Sequence, residues 1–134
     1  MSRAEARVLE AIDEQALVGD LVEMIRVPSV TGSDAESDLQ HRHARRLTQL
    51  GFEVDTWKLD LAGLAAHPDH PGTEAPRTEG YGVAGVLGPP GVPALVLQGH
   101  VDVVPPGDLG NWDDRDPWSG SIRGDEVHGR GACD

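Results

Sequence analysis

The chain has 134 residues and a formal net charge of −12, a length that suits one domain or part of one. That acidity argues against a nucleic-acid or anionic-membrane surface, which needs clustered Lys and Arg. A single cysteine, Cys133, excludes an internal disulfide and suits a reducing compartment, and no apolar stretch is long enough for a membrane span.

The first fifteen residues are charged throughout, with none of the apolar core of a signal peptide, so a cytoplasmic protein is expected. Val8, Ala11, Ile12, Val18, Leu21, Val22 and Ile25 recur at three- and four-residue intervals. That period predicts one amphipathic helix, ended by Pro28, since the residue before a proline is pushed out of the α region. Ser33 with Glu36 three residues on matches a capping box. It opens a second helix carrying Leu39, Leu47 and Leu50 and closed by Gly51. The basic run from His41 to Arg46 reads as a solvated face of that helix.

Phe52 to Trp57 alternates apolar and polar side chains, as a half-buried strand does. Pro68, Pro71 and Pro76 predict an irregular excursion from Leu59 to Glu79, begun by a helical turn at Leu61 to Ala66. Gly82 to Leu87 and Ala94 to Leu97 read as two strands joined through GPPGVP in a hairpin. Helix, helix, strand, strand, strand is an α/β order.

Two motifs are weak. GYGVAG (residues 80–85) formally fits the dinucleotide fingerprint GxGxxG, but a loop precedes it and Pro89 and Pro90 forbid the helix that must follow. Asp108, Asp113, Asp114 and Asp116 lack the order and closing Glu of a calcium loop, and read as a solvated turn. GHVDVVP is different. On an extended segment His100 and Asp102 project to the same side. Metal-binding imidazoles give their second N–H to a carboxylate or carbonyl, which fits His100 as ligand and Asp102 as its orienting partner. By itself an HxD pair more often has a structural or surface role than a metal-binding one.

GHVDVVPPG followed by Trp112, DPW (residues 116–118) and GRGACD, with VPSVTG (residues 27–32) upstream, resembles a co-catalytic zinc metallopeptidase family. It is the family of acetylornithine deacetylase and succinyl-diaminopimelate desuccinylase, which also holds carboxypeptidase G-like enzymes, aminoacylases and carnosine dipeptidases. The resemblance implies an α/β fold with helices packed on a mixed β-sheet. Residues 1–134 would be the N-terminal portion of an aminopeptidase-like catalytic domain, without its lid or dimerisation domain. It also implies two divalent metal ions, zinc by default with cobalt or manganese as substitutes. His100 would bind one ion, Asp102 would orient His100, and Asp134 would bridge the pair.

Arg130, Gly129 and Gly131 would shape the turn that presents Asp134. The family pattern assigns nothing to Glu126, His128 or Cys133; the first two are expected to be structural and Cys133 a small packing residue. The implied reaction is hydrolysis of the linear amide of an N-acyl amino acid or peptide, in a full-length protein whose extra domain allows a homodimer. The interval from Trp112 to Asp116 is one residue longer than the pattern. The family's glutamate pair, later carboxylate ligand and distal histidine would lie beyond Asp134. The isolated chain is therefore expected to be inactive, as part of an enzyme or as a non-catalytic remnant or interaction fragment.

Overall fold

The computed structural model describes residues 1–93 and 95–133. Its elements in chain order are α1 (Arg3–Glu10), α2 (Glu14–Ile25), α3 (Asp34–Gln49), β1 (Glu53–Lys58), α4 (Leu61–Ala66), β2 (Tyr81–Val86), β3 (Ser121–Arg123) and β4 (Glu126–His128). Single 3₁₀ turns at Leu109–Asn111 and Asp113–Arg115 precede β3. The chain divides into two compact units, one built from Val27–Gly107 and the other from Met1–Arg26 with the chain from Asp108 onward.

In the unit of residues 27–107, α3 lies against an antiparallel ribbon of β1 and β2, in register from Glu53 opposite Val86 to Lys58 opposite Tyr81. Leu39 is the buried apolar residue of α3; Leu50 is exposed. Two glycines of GYGVAG serve this packing. A Cβ at Gly82 would run into the Trp57 ring, and one at Gly85 would press on Leu47 and Phe52 at 3.2 Å. The helix also uses its basic run: the His41 ring packs on Tyr81, centroids 4.4 Å apart, so this face is not wholly solvated.

The ends of α3 follow local chemistry, with one shift. Gly51, at φ +88°, ends the helix in a Schellman turn. Its N–H donates to Thr48 O (3.0 Å) and that of Phe52 to Leu47 O (3.1 Å). At the other end Ser33 is the N-cap but makes no side-chain cap bond. Glu36 reaches one residue further back, accepting from the Gly32 N–H at 2.6 Å and from the Arg77 guanidinium at 2.7 Å. The expected capping box between Ser33 and Glu36 therefore does not form: the Glu36 carboxylate passes Ser33 to bind the Gly32 N–H and pair with Arg77 of the 59–79 excursion, and Ser33 N donates to Val30 O. That excursion opens with α4, capped by Asp60 Oδ1 accepting from Gly63 N at 2.9 Å.

The unit of residues 1–26 and 108–133 corrects the single long helix. The stripe is cut at Ala11 to Asp13 into α1 and α2. Ser2 and Glu5 form a complete capping box on α1, and Asp13 Oδ1 accepts from Ala16 N at 2.9 Å to start α2. A side-chain oxygen that satisfies free helix N–H groups makes a new start cheaper than continuing. Val22 and Ile25 are buried, while Val8, Ile12 and Leu17 are exposed. Gly120 and Gly129 admit those two side chains: a Cβ at Gly120 would lie 3.0 Å from Val22 Cγ1, and one at Gly129 would collide with Ile25. β3 and β4 form a short antiparallel hairpin beside them.

The α/β class holds, but the strands are not one mixed sheet. The described strands form two separate two-stranded antiparallel ribbons, with one isolated parallel bridge between Val30 and Val103. The hairpin of residues 82–87 with 94–97 is also corrected. Ala94 lies outside the described residues, and Leu95, Val96 and Leu97 are irregular and strongly exposed. Pro89, Pro90 and Pro93 have no N–H to give a ladder, and no tight hairpin turn forms between them. β2 pairs with β1 instead.

A Cβ at Gly51 meets nothing within 4 Å. Gly51→Ala should therefore cost stability through its left-handed backbone alone, about 1 kcal/mol by urea unfolding. Gly51→Asn should recover part of that loss.

Candidate metal centre

His100 and Asp102 sit on an extended run that is held from across the unit by Ser29 and Thr31. The backbone gives two bonds of a parallel ladder: Val103 N donates to Ser29 O at 2.9 Å, and Thr31 N donates to Val103 O at 3.1 Å. Side chains add two more. The buried Ser29 Oγ donates to Val101 O at 2.8 Å, and Thr31 Oγ1 donates to Asp102 Oδ2 at 2.7 Å. VPSVTG thus supplies alternating side chains, Ser29 and Thr31, that grip HVDV. Their polar residues at two-residue spacing, in a segment too short for a helix, were the available sequence signal.

The ring of His100 faces oxygen. Its Nδ1 lies 2.9 Å from the backbone carbonyl of Asp102 and 3.2 Å from Asp102 Oδ1. Both groups only accept when the carboxylate is ionised, so Nδ1 must carry the ring proton. In the neutral imidazole Nε2 is then the nitrogen with a lone pair, the form a metal ion takes. The ring is 58% exposed and the carboxylate 26% exposed, so the pair sits at a surface with the imidazole outermost.

The other expected ligand, Asp134, lies outside the described residues. Among the described residues no three His, Cys, Asp or Glu side chains gather closely enough to hold an ion. What is present suits one donor of a metal site and its orienting partner. The chemistry of that pair fits a zinc-type ion: a borderline nitrogen donor with a carboxylate behind it.

The remaining candidates have local duties. Glu126 and His128 lie on β4, with Oε2 and Nε2 3.4 Å apart. Gly129 to Ala132 forms a turn, with Ala132 N bonded to Gly129 O at 3.3 Å. Arg130 N donates to Pro117 O at 2.8 Å, and its guanidinium lies 4.9 Å above the Trp112 ring. Cys133 is exposed rather than a packing residue, because it follows that surface turn. Asp108 and Asp116 accept from the backbone N–H groups of Gly110 and Trp118, at 2.8 and 2.9 Å, and Asp113 and Asp114 pair with Arg123. These carboxylates close the 3₁₀ turns instead of facing a common ion.

No protein-family model matches the chain. Individual proteins do. It is 41% identical over 111 residues to a succinyl-diaminopimelate desuccinylase of Methylobacterium nodulans, covering 83% of this chain and 24% of that protein. A protein of the same name from Stenotrophomonas maltophilia is 39% identical over 113 residues, and one from Bordetella avium 34% identical over 116. The chain is homologous to part of the succinyl-diaminopimelate desuccinylases. It spans about a quarter of the length of these relatives, 24–25%. Those relatives are hydrolases by name, and no helix among the described residues is long and apolar enough to cross a membrane.

Ser29→Ala would leave the part-buried Val101 carbonyl without its donor. It should lower stability by about 1–2 kcal/mol in thermal or urea unfolding. Amide exchange at Val103, whose N–H bonds to Ser29 O, should quicken in the same variant.

Proposed function

We propose that this chain carries the first ligands of a two-metal amidohydrolase centre of the desuccinylase type. The observation that carries the reading is His100 Nδ1 facing the carbonyl and carboxylate of Asp102, in a chain 41% identical to a succinyl-diaminopimelate desuccinylase. In this reading His100 Nε2 holds one ion, zinc by preference with cobalt or manganese as substitutes. Asp102 keeps the proton on Nδ1 and strengthens Nε2 as a donor. Asp134 has the two oxygens needed to bridge a second ion.

When bound, such an ion pair polarises an amide carbonyl and makes a water nucleophilic at neutral pH. The chain's own residues do not move protons in that scheme. His100 binds, Asp102 orients, and Ser29 and Thr31 hold the segment that carries both. The reaction proposed for the full-length protein is hydrolysis of the linear amide of an N-acyl amino acid, giving a carboxylate and a free amine. An N-succinyl diamino acid is the first substrate to try, since the relatives are named for one. In this reading residues 1–134 belong to the N-terminal portion of that catalytic domain and supply only part of its metal site. Three recognised side chains cannot complete a two-metal site or supply its general base.

Zinc titration of the metal-free chain, followed by His100 resonances or calorimetry, tests the ligand assignment. His100→Ala should abolish binding at this position, and Asp102→Asn should weaken it roughly 10–100-fold. Zinc affinity unchanged in His100→Ala would remove His100 from the site. A protein extended to the relatives' full length should release succinate from N-succinyl amino acids only when metal is supplied.

A further inference from the structure

We infer that Thr31 is a positioning residue for the candidate metal ligand: its hydroxyl holds Asp102 Oδ2 so that Oδ1 keeps the proton on His100 Nδ1. This deepens the metal-centre reading and takes its purpose from it. The terminal torsion of an aspartate is broad, so a partly solvated carboxylate on a loop has no intrinsic reason to keep one oxygen on a neighbouring ring. Asp102 is such a carboxylate, with its side chain 26% exposed. What fixes it is a bond to its other oxygen. Thr31 Oγ1 lies 2.7 Å from Oδ2 and 3.4 Å from the Val103 carbonyl. A hydroxyl has one proton, and the shorter bond to an ionised acceptor is the stronger of the two.

Thr31 is itself held firmly. Its N–H donates to Val103 O at 3.1 Å, in the ladder that carries Asp102, and its β-branched side chain has few χ1 choices. The hydroxyl is therefore presented to the carboxylate by the same pairing that places the carboxylate. Thr31, Asp102 and His100 form a chain of donors and acceptors running from a fixed backbone to the outermost imidazole. Nitrogen–hydrogen geometry at the ring follows: with Oδ1 and the Asp102 carbonyl both on Nδ1, the ring is held in one tautomer and one orientation.

The test is the tautomer of His100 in the metal-free 134-residue chain, read by long-range proton–nitrogen NMR with the ring neutral. Wild type and Thr31→Ser should both show mainly the Nδ1–H form. Thr31→Val, which keeps the shape and removes the hydroxyl, should move the ratio toward Nε2–H by roughly fivefold, the change one ordinary hydrogen bond makes. A Thr31→Val ratio equal to wild type would overturn the proposal, and so would a shifted ratio in Thr31→Ser.

Wild-type protein gives a check that needs no variant. Deuterating the Thr31 hydroxyl should displace the Asp102 Cγ resonance across the hydrogen bond; no displacement would overturn the proposal even if Thr31→Val failed to fold. Zinc separates this inference from the reading beneath it. If zinc leaves His100 Nε2 unmoved while Thr31→Val shifts the tautomer, the metal reading fails and the positioning role stands. If zinc moves Nε2 and Thr31→Val leaves the tautomer alone, the positioning role fails and the metal reading stands.

Discussion

The short pairing between Ser29 to Thr31 and Val101 to Val103 closes a loop of about seventy residues, and both the unit and its site depend on it. Two backbone bonds and two side-chain bonds join residues 71 to 74 positions apart in sequence. Bringing such distant segments together costs loop-closure entropy, though that cost grows only slowly with length. What lies between offsets it: α3 buries Leu39, packs on the β1–β2 ribbon, and ties back to the excursion through Glu36 and Arg77. The Arg77–Glu36 pair is well shielded, with side chains 22% and 13% exposed. Screening there is weaker than at the open surface.

The same pairing explains why one aspartate among so many is chemically distinct. The chain carries a net charge of −12, and several of its carboxylates are spent locally. Asp13, Asp60, Asp108 and Asp116 accept from backbone N–H groups two or three residues away. Those bonds satisfy turns and helix starts and need nothing from the rest of the fold. Asp102 has one oxygen toward His100 and the other toward a hydroxyl from far along the chain. It alone in this set links a titratable ring to a remote segment, so its orientation is a tertiary property.

Similarity to the desuccinylases extends over most of the chain, yet covers about a quarter of theirs. Immediately before the site, Leu95, Val96 and Leu97 form a continuous apolar run that is strongly exposed. Such a run is the pattern of a strand covered on both faces. Here the run is irregular and joins no ribbon among the described residues.

Elements fixed by neighbours in sequence were legible before any coordinates. The α4 turn from Leu61 to Ala66, the body of α3 and its Gly51 stop, and the alternation that makes β1 all follow from spacing and capping chemistry that act within a few residues. His100 with Asp102 was legible for the same reason, since two residues on an extended chain share a side. The break at Asp13 needed a comparison of two competing caps, which periodicity does not weigh. The partner of β2, the fate of residues 95–97 and the reach of Glu36 toward Arg77 depended on segments far away. Ser29 and Thr31 belong with these: as residues they are ordinary, and only the closing of the long loop brings their hydroxyls to Val101 and Asp102. Sequence alone determined which side chains could serve chemistry, because that is a matter of functional groups and short spacings. Tertiary structure decided which oxygen faces which nitrogen, because a hydrogen bond is satisfied only when both partners arrive within about 3 Å.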